Sequence, residues 1–243
     1  MTLLSVVGRD EPGRRLAELL RRERIVARLH RDRTIDTTVK LRVIGRTQQL
    51  LRIDFENQPT DDALLAKLDE FERVVSAHDV VVFSDYGKGG LTHIPRMIAT
   101  ARAAGRRVLV DPKGSEYARY RGAHIITPNR AELREVVGRW ADEAELTTKA
   151  QALRRDLGLE ALLVTRSEEG MSLYGEGSTL NVPTVAREVF DVSGAGDTVI
   201  ATMAVALAAG ASLEEAVRLS NQAAGIVVGK LGTAVVTADE LFA

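Results

Sequence analysis

Cysteine is absent from the 243 residues, so the chain has neither a disulfide nor a thiol nucleophile. That usage fits a reducing compartment, and a cytoplasmic protein is expected. Net charge is also nearly absent. Lysine plus arginine number 33 against 34 aspartates plus glutamates, which gives no basic footprint for nucleic acid and no polybasic attraction to a membrane. A small anionic ligand is still open through local charge. No long apolar run opens the chain: "MTLLSVVG" is followed at once by charge, which excludes a signal peptide or membrane span at that point. The four histidines, His30, His78, His93 and His124, lack metal-ligand spacing and read as structural or surface residues. What is present is 45% hydrophobic and 28% charged residues, enough for a sizeable core in a soluble globular protein.

Short β-branched runs alternate with helical patterns. "VVVFSD" (Val80 to Asp85), "RVLVDP" (Arg107 to Pro112), "HIITPN" (His124 to Asn129) and "ALLVTRS" (Ala161 to Ser167) read as strands. Between them, "THIPRMIATARAAG", "NRAELREVVGRW" and "TTKAQALRRDLGL" carry helical periodicity. Strands separated by helices predict βαβ units and a parallel sheet, with ligands beyond the carboxyl ends of the strands. Asp85, Asp111, Asn129 and Thr165 to Ser167 fall there. Each could be a turn or helix cap; four strand ends together point to one polar crevice.

The segment "KLRVIGRTQQLLRIDFE" breaks that rhythm. Lys40, Arg42, Arg46, Gln48, Arg52, Asp54 and Glu56 alternate with an odd-numbered set, Leu41, Val43, Leu51, Ile53 and Phe55. Period two predicts extended strand with one wet face, read as one or two antiparallel strands standing off the sheet as a lid or dimer surface. An ordinary edge hairpin is the alternative.

"DVSGAGDTVIATMAVALAAG", Asp191 to Gly210, predicts a helix apolar almost all round, buried inside the molecule. Glycines at 194 and 196 allow a tight turn and close approach of a ligand to free first-turn amides, which suits an anion. Asp197 is either an N-cap or the acceptor of a hydroxyl proton during phosphoryl transfer. Two familiar phosphate-binding patterns are not met. "GIVVGKL" has three residues between its glycines and a leucine where a magnesium-binding hydroxyl belongs, and "GAGDTV" has valine where a dinucleotide fingerprint needs its third glycine.

The motifs "SDYGKG", "DPKG", "TPNRAE", "VTRSEEGM", "DVSGAGDT" and "AAGIVVGKLGT" together resemble the ribokinase-like sugar kinases. Within them, Thr38 through "KLRVIGRTQQLLRIDFE" and "DPKGSEYARYRGA" resemble the heptose 7-phosphate kinase domains of ADP-heptose synthesis. The resemblance implies an α/β fold, a mostly parallel sheet with helices on both faces plus a small β lid. Residues 1–243 would form a single, N-terminally short kinase domain with lid or dimer strands at about 38–56. It implies ATP and magnesium as cofactors, a sugar phosphate as substrate, most closely D-glycero-D-manno-heptose 7-phosphate at the anomeric hydroxyl, and a homodimer.

By the same resemblance Asp197 would be the base, with the amides of Gly194, Ala195 and Gly196 on the γ-phosphate. Asn129 and Glu132 would organise magnesium, largely through water. Lys113, Thr165, Arg166, Ser167 and Gly170 would line the nucleotide, and Asn221, Gly225, Lys230, Gly232 and Thr233 would lie near adenine and ribose. Asp191 and Ser193 would hold a potassium ion, as in some relatives. Read without the family, Glu132 is equally a first-turn helix acid, and Lys113 and Arg166 are solvated charges.

The chain departs from the family at its start. The usual opening strand with its Gly-Asp pair and the Gly-Gly-Ala-Asn-type segment, which contact the sugar, have no counterpart, so a central strand and part of the sugar pocket are expected to be missing. A His-x-Gly-His nucleotidyltransferase motif is also absent. Two other readings stay open: a hexose or nucleoside kinase of the same family, and a nucleotide-binding module without turnover.

Overall fold

The structure, a computed structural model, describes residues 1–45, 48–186 and 188–243. The chain divides into two compact units, one of residues 1–74 and 87–93, the other of residues 75–86 and 94–243.

In the smaller unit, β1 (Thr2–Gly8), α1 (Glu11–Arg22) and β2 (Val26–Asp32) form a parallel pair with a crossover helix, against which α2 (Asp61–Val74) packs. The start of α1 is tied down by its cap. Asp10 accepts the Gly13 amide at 2.9 Å and the Thr37 hydroxyl at 2.7 Å on one oxygen, and the Thr37 amide at 2.7 Å on the other. Gly8 must be glycine here, because an added Cβ would lie 2.5 Å from the Ile35 carbonyl oxygen. The alternating segment forms β3 (Val39–Gly45) and β4 (Gln48–Phe55), an antiparallel pair with Leu41 opposite Ile53 and Val43 opposite Leu51. Leu41, Val43, Ile53 and Phe55 are exposed on one face of this hairpin, and Lys40 faces Asp54 across the other. Arg46, part of the charged set in the sequence, lies outside the described residues.

The larger unit is built on a six-stranded sheet in the order β10-β9-β8-β7-β6-β5. β5 (Val80–Ser84), β6 (Arg107–Asp111), β7 (Ile125–Ile126) and β8 (Ala161–Thr165) are parallel. β9 (Met171–Gly175) and β10 (Ser178–Val182) add antiparallel strands that the sequence reading did not pick out. β7 is shorter than "HIITPN" suggested because Pro128 brings no N–H to the ladder; pairing resumes at a single Asn129–Thr165 bridge. The helical patterns become α3 (Ile94–Ala103), α4 (Arg130–Val137) and α5 (Glu143–Leu157).

Leu109, Ile125, Leu163 and Leu173 lie on one sheet face and form a buried cluster with Val199, Met203 and Val217 of two further helices, α6 (Ala195–Ala208) and α7 (Leu213–Val228). The alternate residues Val108, Val110, Leu162 and Val164, all fully buried, face the opposite side, where α3 and α5 pack. Each such side chain contributes roughly 1.5–3 kcal/mol relative to exposure, so the sheet is a stiff platform for the loops at its carboxyl edge.

One expectation is corrected. α6 is not buried all round: Val199, Ile200 and Met203 are buried, but Val205 is 70% exposed on the other side. Uniform apolarity in the sequence could not distinguish a covered face from one that lines an open apolar hollow with Val235 and Phe242. At the sheet margin β5 is the last strand, and its Val82 is 40% exposed.

Candidate functional site

Parallel strands in adjacent register deliver Thr165, Asn129, Asp111 and Asp85 side by side at the carboxyl edge of the sheet. The expected crevice is therefore a consequence of topology, but its members play different parts. Asp85 is buried, accepts the Tyr120 hydroxyl at 2.9 Å and lies 3.6 Å from the Arg119 guanidinium. It anchors the edge rather than facing outward. Tyr120 in turn accepts the Lys113 amide at 3.1 Å, which fixes the loop after β6.

At the start of α6, Gly194 is the N-cap and sits at φ 82°, a left-handed conformation that favours glycine. Asp197 is thus the third helical residue, not the N-cap that the sequence left possible. A glycine cap has no side chain to accept a first-turn amide. Ala195 donates its N–H to the Val192 carbonyl at 3.2 Å, which removes it from the set of three amides expected to be free. Among the described residues the amides of Gly194, Gly196 and Asp197 have no protein acceptor. A Cβ added at Gly196 would meet nothing within 4 Å beyond its chain neighbours and its own helix backbone, so there is open space beside this residue. Free amides at the positive end of a helix favour an anion.

Beside this helix start lies a cavity of about 350 Å³. Thr165, Ser167, Gly170, Asn221, Gly225, Ala195 and Gly196, drawn from three separate stretches of sequence, all line it. Two of its glycines have packing reasons as well. A Cβ at Gly170 would stand 2.1 Å from the Val182 carbonyl oxygen at φ 89°, and one at Gly225 would press on Val185 at 2.8 Å. Asn221 is buried and donates from Nδ2 to the Pro183 carbonyl at 2.8 Å, holding the loop that roofs the cavity.

Glu132 occupies the third position of α4 and is fully engaged. Its Oε2 accepts the Asn129 amide at 3.0 Å, while Asn129 Oδ1 accepts the Glu132 amide at 3.0 Å, closing a capping box. Lys113 Nζ donates to Glu132 Oε1 at 2.8 Å. Both readings of Glu132, first-turn acid and ligand-organising acid, use the same atoms. Asp111 stands among these charges. Burial, followed by the carboxylates of Glu132 and Asp197, pushes it up to about 7, with Lys113 opposing. The Asn129 and Glu132 oxygens already accept protein hydrogen bonds, so a magnesium ion held here would meet them chiefly through its own waters. Among the described residues no group of three or more His, Cys, Asp or Glu could hold a metal ion directly.

An open helix start with acceptor-free amides, an acid at its third residue and a cavity at the carboxyl edge of a parallel sheet suit a kinase, and comparison with known proteins names the family. Residues 1–239 match the pfkB family of carbohydrate kinases. The chain belongs to that family. Among its relatives, a D-beta-D-heptose 7-phosphate kinase of Bordetella bronchiseptica is 54% identical over 241 residues, covering 99% of this chain and 77% of that protein. The bifunctional protein HldE of Pseudomonas aeruginosa is 54% identical over 240 residues, covering 98% of this chain and 50% of its own length. The chain thus spans about half the length of the bifunctional relatives. The fold is ribokinase-like: phosphofructokinase-2 from Escherichia coli superposes with a TM-score of 0.83 at 20% identity, covering 99% of this chain and 80% of that one. Ribokinase from Thermotoga maritima does so at 0.81 and 22% identity, with 99% and 80% covered.

Other residues expected at the site of this pfkB carbohydrate kinase are placed elsewhere. The Arg166 guanidinium is buried in ion pairs with Glu143, at 2.7 Å, and Glu169, and donates to Ser172 Oγ at 3.0 Å. It braces the loop that carries Ser167 instead of being a solvated charge or a cavity wall. Lys230 points to Glu240 at 2.6 Å and to the Val235 carbonyl at 2.8 Å. Thr233 approaches Gly194, where an added Cβ would lie 3.2 Å from its methyl, and both line the apolar hollow beside Asp197 rather than the 350 Å³ cavity. Gly232 adopts φ 75° in the turn before Thr233. Asp191 Oδ1 accepts the Ser193 amide at 2.8 Å, an Asx turn leading into α6.

Sequence reasoning gave no role to Tyr86, although "SDYGKG" was among its motifs, and none beyond the crevice to Asp111. Tyr86 lies 111 residues from Asp197, and its hydroxyl donates to Asp197 Oδ1 at 2.9 Å. Only the fold brings the two together.

Proposed function

We propose that this pfkB-family chain transfers the γ-phosphoryl group of ATP to a sugar phosphate, specifically D-glycero-D-manno-heptose 7-phosphate at its anomeric hydroxyl. The name of the Bordetella relative, a D-beta-D-heptose 7-phosphate kinase, supports a heptose 7-phosphate as substrate. The observation that carries the chemistry is the open start of α6, where acceptor-free amides and the Asp197 carboxylate share one helix turn next to a cavity.

Asp197 accepts the hydroxyl proton as that oxygen attacks phosphorus, and the Gly194 and Gly196 amides hold the charge that moves onto the phosphoryl oxygens. The cavity wall of Thr165, Ser167, Gly170, Asn221 and Gly225 takes the nucleoside. Asn129 and Glu132, with Lys113 on the same carboxylate, orient the waters of a magnesium ion, which when bound neutralises phosphate charge. The Asp191 to Ser193 turn is the proposed potassium site. The exposed apolar row Leu41, Val43, Ile53 and Phe55 supports a homodimer through the hairpin.

The deciding experiment is ADP release from ATP and magnesium, with and without heptose 7-phosphate, for the chain and for Asp197→Asn. The variant is expected to keep nucleotide affinity and to lose about 10²- to 10⁴-fold in kcat. Full activity in Asp197→Asn removes Asp197 from the mechanism. Nucleotide binding without sugar-dependent release from the parent chain leaves a binding module in place of a kinase.

A further inference from the structure

We propose that Tyr86 is a positioning residue for Asp197, its phenol O–H holding Oδ1 so that Oδ2 is the oxygen presented to the substrate hydroxyl. The inference rests on the reading of Asp197 as the base.

A hydrogen bond of 2.9 Å joins the Tyr86 hydroxyl to Asp197 Oδ1 across 111 residues of sequence. Asp197 Oδ2 has no protein donor among the described residues, so the two carboxylate oxygens are inequivalent. Tyr86 is itself placed by its neighbour: Asp85 is buried against Tyr120 and Arg119, and its amide donates to the Asp111 carbonyl at 2.9 Å. The residue before the phenol is therefore clamped on both side chain and backbone. Partial burial, followed by the charge of Asp197, pushes the Tyr86 phenol up to about 12, which keeps it a donor throughout the working pH range.

A carboxylate on a helix's first turn can rotate about two side-chain bonds, and an oxygen pointed away from the attacking hydroxyl is useless as a base. A charge-assisted hydrogen bond to one oxygen removes that freedom before substrate arrives. Tyr86 is 53% exposed, and Tyr86→Phe keeps the ring and deletes only the hydroxyl, so little effect on folding is expected. The pairing is invisible to family motifs that stop at the helix itself.

The test is kinetic and spectroscopic. Tyr86→Phe is expected to lower kcat about tenfold, as loss of 1.4 kcal/mol would, with the KM for ATP and the melting temperature unchanged. In an Asp197→Asn background the same change is expected to cost nothing further, because both act through one group. An unchanged kcat in Tyr86→Phe, beside a crippled Asp197→Asn, overturns the positioning role alone. An equal loss in both backgrounds also overturns it, since Tyr86 then acts independently of Asp197. Full activity of Asp197→Asn overturns the base and this inference together. A measurement that needs no turnover is the ¹³Cζ-tyrosine NMR spectrum at pH 7. The Tyr86 resonance, assigned by its disappearance in Tyr86→Phe, is expected to shift in Asp197→Ala; a resonance that stays in place overturns the pairing.

Discussion

α4 and α6 both begin at the carboxyl edge of the sheet, and both carry an acid as the third helical residue, Glu132 in one and Asp197 in the other. Their first turns are nevertheless opposites. Asn129 caps α4 and closes a reciprocal box with Glu132, which Lys113 then neutralises. Gly194 begins α6 with no side chain to offer, so amides and carboxylate are left without such a box. The cap residue decides which acid is spent on the protein and which is available to a ligand. An acid near a helix start is therefore weak information until the residue three places before it has been read.

The largest effect that would sharpen this contrast concerns Asp111, which feels both acids. Its pKa is raised to about 7 by burial first, then Glu132, then Asp197. The folded state consequently binds this proton more tightly than the unfolded chain does. The stability it contributes is fully present below the unfolded value near 4 and is lost as pH rises through about 7. Relative to Asp111→Asn, the parent protein is expected to lose about 1–3 kcal/mol between pH 4 and pH 8 without magnesium, read by denaturant titration at each pH. Glu132→Gln should flatten that difference more than Asp197→Asn does, because Glu132 is the larger of the two charge effects. The reverse order would mean that the closed box shields Glu132 from its neighbour and that the contrast is drawn wrongly.

A smaller effect belongs to the open helix. Gly196→Val adds side chain where a Cβ would meet no atom within 4 Å beyond its chain neighbours and its own helix backbone, so stability should change by less than about 0.5 kcal/mol. The same atoms would stand in front of the amides, and the dissociation constant for ATP is expected to rise at least about tenfold, measured by calorimetry. Unaltered affinity would make the start of α6 merely an uncapped helix.

Much of this was legible without coordinates. β5, β6, β8 and the hairpin followed from period-two and β-branched patterns, and the parallel topology that gathers Asp85, Asp111, Asn129 and Thr165 followed from strand–helix alternation. What the pattern concealed was long-range or directional. Arg166 has the same letter whether solvated or buried between Glu143 and Glu169. Tyr86 meets Asp197 only because β5 and α6 pack together. The strands β9 and β10 interrupt an otherwise parallel pattern, and "MSLYG" is buried along its whole length, so it carries no alternation to read.

The smallest expected effect tests whether the closed helix is more than closed. Asn129→Ala removes the acceptor for the Glu132 amide and should cost about 1 kcal/mol. Ser212→Ala provides the control, because Ser212 and Glu215 form the same kind of box at the start of α7, away from the cavity walls. Both variants should lose similar stability by thermal melting. If Asn129 and Glu132 orient the waters of magnesium, only Asn129→Ala should raise the magnesium concentration needed for half-maximal rate. Equal magnesium dependence in the two would reduce α4 to a well-capped helix and leave the open start of α6 to carry the phosphate chemistry alone.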